Sequence, residues 1–155
     1  MNFDNETKNF LTFKAAGVHF ACSFESVIRI EAAKAAEITP APAFPDYMPG
    51  TVLSQGDVMP VVDAAKRFGI GECRVSDYSC FIMARLDEQS GFEEKYDRCA
   101  VLVDEVSGSV KGTDKLLPPP SLSEESFAEY LIGTFSDDGE IYYVISPEKL
   151  ARLKG

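Results

Sequence analysis

The chain has 155 residues, 45% apolar and 26% charged, the mixture of an ordinary globular domain. Its 25 acidic and 15 basic residues give a formal charge of −10, and Lys and Arg form no run, which argues against a nucleic-acid backbone or an anionic membrane as partner. No apolar run approaches the ~20 residues of a membrane span, and residues 1–10 lack the basic-then-apolar order of a secretory signal, so a cytoplasmic chain is expected.

Residues 1–8 are polar and are expected to be a flexible N-terminus, followed by a single domain over 9–155. Phe10-Leu11-Thr12-Phe13-Lys14 reads as a strand. The turn Ala15-Ala16-Gly17 returns it into Val18-His19-Phe20-Ala21-Cys22, which alternates with period two. Ser23 to Ser26 is too short for a helix. Val27-Ile28-Arg29-Ile30-Glu31 alternates again, with Arg29 and Glu31 facing away from Ile28 and Ile30. Residues 32–37 are Ala-rich but too short for an independent helix, and are read as a strand-edge connection.

Pro40, Pro42, Pro45 and Pro49 exclude a continuous helix or a central strand and predict an ordered irregular loop closed by Gly50. The next hairpin runs from Thr51-Val52-Leu53-Ser54 through Gln55-Gly56 into residues 57–63. Pro60 lacks a ladder donor, so an edge or a bulge is expected there. Asp63 reads as the N-cap of a short helix over 64–68, ended by Gly69. Residues 79–86, 100–103 and 106–110 read as strands, and the charged segment 87–97 as a solvated loop. Residues 131–135 and 141–145 make a last hairpin around Asp137-Asp138-Gly139. Ser146 caps a closing helix with Pro147 in its first turn, running to about Leu153. Nine or ten short strands with regular turns predict an all-β sandwich or barrel.

Signatures of catalysis are missing. There is no nucleophile elbow, phosphate-binding loop or dinucleotide fingerprint, and His19 is the one imidazole, placed on a strand. Asp63 and Asp104 each end an apolar strand, as caps and turn formers do; a small β-barrel hydrolase or ligand-binding domain using either is the alternative from another class. Cys22, Cys73, Cys80 and Cys99 form no Cys-x-x-Cys pair, so neither a catalytic site nor a metal site is assigned. Reduced, packed thiols are the better reading.

The order of these pieces resembles the CheW family. The stretch Gly50-Thr51-Val52-Leu53-Ser54-Gln55-Gly56-Asp57-Val58-Met59-Pro60-Val61-Val62-Asp63 carries most of the likeness. Residues 100–106, the run Pro118-Pro119-Pro120, Leu131-Ile132-Gly133 and Tyr143-Val144-Ile145 follow in the family's order. The resemblance covers residues 9–153. It implies two intertwined SH3-like five-stranded β-barrels with short helices, and a non-enzymatic scaffold in chemotaxis signalling without cofactor. It also implies two partners: the regulatory domain of a CheA-type histidine kinase, and the cytoplasmic tip of chemoreceptors held in a groove between the barrels. Val27, Arg29, Gly50, Gln55 and Gly56 match positions near that groove.

Two residues depart from the family pattern. The family's turn is usually Asn-Leu-Arg-Gly, whereas this chain has Leu53-Ser54-Gln55-Gly56, and a position commonly acidic is Arg29. The charge pair implied by the family is therefore lost here, with one member reversed. Receptor binding is then either retuned or weakened, and a module serving another signalling kinase without normal receptor coupling is the second reading.

Overall fold

The computed structural model describes residues 9–86, 96–111, 116–121, 125 and 127–152. The readings placed on residues 1–8, on most of the charged segment at 87–95 and on the helix end at Leu153 lie outside these.

Turn chemistry fixes three hairpins. β1 (Asn9–Ala15) meets β2 (Val18–Ser23) through Ala16-Gly17, β5 (Gly50–Ser54) meets β6 (Asp57–Asp63) through Gln55-Gly56, and β10 (Leu131–Asp137) meets β11 (Glu140–Ile145) through Asp138-Gly139. In each turn both central residues have positive φ, as at Gln55 (49°) and Gly56 (85°). That is the mirror-image turn whose twist matches the strands it joins.

The remaining strands are β3 (Val27–Ala32), β4 (Thr39–Pro40), β7 (Cys80–Arg85), β8 (Arg98–Val103) and β9 (Glu105–Lys111). They assemble into one sheet ordered β10-β11-β2-β1-β9 and another ordered β3-β7-β8-β6-β5-β4. The all-β expectation holds, but among the described residues the strands number eleven and the sheets have five and six. The added strand is β4, two residues long at a sheet edge, where a proline N–H is not needed.

Local readings meet mixed outcomes. Asp63 caps α1 (Ala64–Phe68) by accepting from the Lys66 N–H, and Gly69 ends it at φ 77°. Ser146 caps α2 (Pro147–Ala151) through the Lys149 N–H. Short 3₁₀ turns occupy Phe24–Ser26 and Ala35–Glu37, where no helical turn was assigned. Pro60 lies neither on an edge strand nor at a bulge, because β6 runs between β5 and β8 with an unbroken register to β5. Counted from the turn, Pro60 faces Thr51 at a position that makes no bond to β5, and pairing with β8 begins only at Val61. Its missing donor therefore leaves no rung unmade.

The long apolar runs follow from strands covered on both faces. Along β7 and β8, Ile82, Ala84, Cys99, Val101 and Val103 face one core while Phe81, Met83, Ala100 and Leu102 face another. The first core is shared by both sheets: Leu11, Phe13 and Phe20 meet Val62, Ile82 and Val101, with Phe68 of α1 and Leu150 of α2 packed in. A smaller cluster of Phe10, Ala21, Phe135 and Val144 lies on the other side of the first sheet.

The thiols follow the same burial. Cys22, Cys73 and Cys99 are buried, and burial pushes each up to about 12, whereas Cys80 is half-buried with a smaller upward shift from the same cause. At pH 8 a thiol of that kind is ionised in roughly one molecule in ten thousand, and the thiolate is the reactive form. A disulfide reagent at pH 8 should therefore label one thiol, Cys80, in the native protein and all four after denaturation. Rapid reaction of a second native thiol would contradict this packing.

Candidate functional site

The sequence-selected residues fall into two places. Arg29 bonds to Ser54, the residue before the Gln55-Gly56 turn; Gly50 stands apart. Gly50 begins β5 and is buried beneath β4, paired with Pro40 and Val61. A Cβ there would lie 2.0 Å from the Thr39 carbonyl oxygen, so a side chain would force β4 off the sheet. Four residue steps along the strand lead from it to Ser54, about 13 Å away. Its place is explained by close backbone approach.

Val27 opens β3 opposite Ala84, half-buried against the shared core. A bulge between Val27 and Arg29 then shifts the alternation. Ile30 is consequently exposed (39%), while Arg29 and Glu31 project from the other side of the strand. The expectation that Arg29 and Glu31 face away from Ile30 holds, but a bulge at Ile28 leaves no mark in the pattern.

Arg29 reaches the hairpin turn. Its Nε donates to Glu31 Oε2 and to Ser54 Oγ, both at 3.0 Å, and its Nη2 donates to the Ser54 carbonyl at 2.9 Å. The Ser54 hydroxyl donates in turn to Glu31 Oε2 at 2.5 Å. The charge that looked orphaned in the sequence thus has its carboxylate two residues along the same strand. The guanidinium binds Ser54 through side chain and backbone together in the fixed planar fork that an ammonium lacks. Glu31 and Ser54 were not selected from sequence, and a contact across 25 positions leaves no local signal.

Two further residues were missed, Leu53 and Val58. They stand directly opposite each other across the β5–β6 hairpin and are 67% and 53% exposed. Side chains two apart on a strand share a face, so Val58 lies on the side of β6 that carries Pro60 and Val62, and Val62 belongs to the shared core. The Leu53–Val58 pair therefore prolongs the face that the second sheet turns toward the first, beyond the point where it is covered. A two-residue turn flanked by apolar residues one step out is readable in sequence and could have found them. At the same end, Arg98 of β8 pairs with Asp57 at 2.6 Å.

The two carboxylates considered for catalysis bind backbone N–H groups. Asp63 accepts from the Lys66 N–H at 3.2 Å and, through both oxygens, from the Cys73 N–H at 3.0 and 3.2 Å. Burial holds its carboxyl above the ordinary value, against the pull of those N–H donors. Asp104 accepts from the Ala16 N–H at 2.7 Å. His19 Nε2 lies 3.6 Å from Glu140, and its ring meets Tyr142 edge-on at 5.5 Å. A surface hollow of about 330 Å³ lies elsewhere, in the proline-rich loop against Pro42, Phe44 and Met48. Among the described residues, no three His, Cys, Asp or Glu side chains are grouped to hold a metal ion, and no helix is long and apolar enough to cross a membrane.

Comparison with known proteins adds the following. A family model described as the CheW-like domain matches residues 9–154. No curated protein sequence matches. Among the matching solved structures is the scaffolding protein TtCheW from Thermoanaerobacter tengcongensis, at TM-score 0.81 and 22% identity, over 96% of this chain and 90% of that one. The likeness extends to the whole architecture, a mostly β fold of two SH3-like barrel domains with few short helices.

Proposed function

The chain belongs to the CheW-like family, and from that premise we propose that it is a non-enzymatic chemotaxis adaptor of the cytoplasm, coupling the cytoplasmic tip of chemoreceptors to the regulatory domain of a CheA-type histidine kinase. The observation that carries this reading is the family match over residues 9–154, which takes in both sheets and the core between them. Residues 9–155 then act as one unit of two subdomains, needing no cofactor or metal.

The geometry supports a binding role. The second sheet presents an uncovered apolar pair, Leu53 and Val58, next to the Gln55-Gly56 turn, a face on which the apolar side of a helix can lie. The hydrolase alternative gains no support, since both oxygens of Asp63 and Oδ2 of Asp104 accept from backbone N–H groups. A second reading, kinase binding without receptor coupling, draws on the neutral Gln55 and the inward-turned Arg29.

Calorimetry on the purified full-length chain separates these readings. A CheA regulatory domain and a receptor-tip fragment from the same organism should each bind with a dissociation constant of tens of micromolar or tighter, about −6 kcal/mol or better. Kinase binding alone would favour the second reading, and binding to neither would overturn both.

A further inference from the structure

The second sheet has a seam. Among the described residues no backbone rung joins β3, at one edge, to β5 near the other. At one end of the seam the chain itself crosses: residues 33–38 lead from β3 into β4, which pairs with β5 at Thr51 and Gly50. At the other end Arg29 crosses, donating from Nε to Ser54 Oγ and from Nη2 to the Ser54 carbonyl. The hairpin it reaches is an overhanging arm. β6 pairs with β8 only from Val61 to Asp63, so the turn half of the hairpin extends past the last of those rungs as two strands alone, which are marginal in water. Its ion pair to β8, Arg98 with Asp57, is 36% and 47% exposed and holds it weakly.

The Arg29 bonds are better protected. Arg29 and Glu31 stand opposite Met83 and Phe81, and Ser54 lies two residues from Val52, so the three share the face of the second sheet's own core. The Arg29 side chain is 18% exposed and Ser54 4%. Glu31 Oε2 accepts from both, which matches the charge where water has little access.

We propose that Arg29 is a latch: it shuts the seam between β3 and β5, and its release lets the arm swing away from β3. The core shared with the first sheet stays closed in that motion, because it is built on the opposite face of β7 and β8. The device is internal to the chain and stands independently of the adaptor reading.

Paired spin labels on the full-length chain test it. With Cys80→Ser removing the accessible thiol, labels at Ile30→Cys and Leu53→Cys occupy exposed positions on either side of the seam. The native latch should give one narrow distance distribution, and Arg29→Ala should lengthen or broaden it by about 5 Å, one strand spacing. Arg29→Lys should fall between, since an ammonium lacks the fork that reaches hydroxyl and carbonyl together. Labels at Ile132→Cys and Ile141→Cys in the first sheet should not respond. An unchanged seam distance in Arg29→Ala would overturn the latch. Equal broadening at both label pairs would overturn it as well, since Arg29 would then support the whole fold. If Arg29→Ala does not fold, Ser54→Ala decides: it loses the hydroxyl and keeps the carbonyl, and an unwidened seam there would also end the proposal.

Discussion

Phe20→Ala is expected to destabilise the protein by about 3–5 kcal/mol, which lowers the urea midpoint by roughly 2 M for a slope near 2 kcal/mol/M. Phe20 is fully buried at the middle of the shared core. Its ring lies 4.4 Å from Phe68 of α1, 5.7 Å from Phe13 of β1, 5.3 Å from Phe127 and 5.9 Å from Tyr143 of β11. Those partners come from four parts of the chain, so the hole left by the ring cannot be closed by moving one side chain. Collapse would need β1, β11 and α1 to shift together. The loss is a large part of the roughly 5–15 kcal/mol that holds a domain folded. Phe135→Ala is the control. Phe135 makes two ring contacts in the smaller cluster, with Phe10 and Tyr142, so its loss should be the milder one. Equal losses would mean that the core between the sheets has no special weight.

Arg67→Leu is expected to remove about 2–3 kcal/mol, although leucine is the more apolar side chain and the site is buried. Arg67 is 8% exposed in the last turn of α1. Its Nε donates to the Leu150 carbonyl at 2.9 Å and its Nη2 to the Arg152 carbonyl at 2.5 Å, bonding the end of α2 to α1. The guanidinium also lies over the Tyr47 ring at 3.9 Å and the Tyr130 ring at 4.9 Å. Leucine would leave two carbonyls at the end of α2 without that donor and would forfeit both ring contacts. Lysine should recover part of the loss, because an ammonium keeps the charge but cannot reach both carbonyls with fixed geometry. Replacement of a buried ion by an apolar residue is neutral in some proteins. A neutral Arg67→Leu in urea melts would place this one among them, and would mean that packing alone holds α2.

Local chemistry was the legible part of this fold. The three tight hairpins, the Asp63 and Ser146 caps and the stop at Gly69 each follow from a few adjacent residues, and each is found where the sequence puts it. Pairings between distant segments were not legible. The parallel contacts of β6 with β8 and of β11 with β2 join strands whose order in the chain says nothing of their order in the sheet. β4 escaped notice because two residues in a proline-rich loop carry no period. At the site, Arg29 bonds to Ser54, the residue before the Gln55-Gly56 turn, and to Glu31, and neither of those two partners was marked by local pattern. Gly50, which matches a family position near the groove, is buried against β4, a close approach that shows only when the sheet is assembled. Arg67 was read as one helical residue among five, since its partners are 83 and 85 positions away.

The central claim is that one end of the furrow between the sheets grips a helix by its apolar ridge. A backbone NMR titration of the isotope-labelled chain with a receptor-tip fragment tests it most directly. Shifts should gather at Val27, Arg29 and residues 53–58 and saturate together. Shifts confined to the hollow of residues 40–49, or none at saturating fragment, would contradict it.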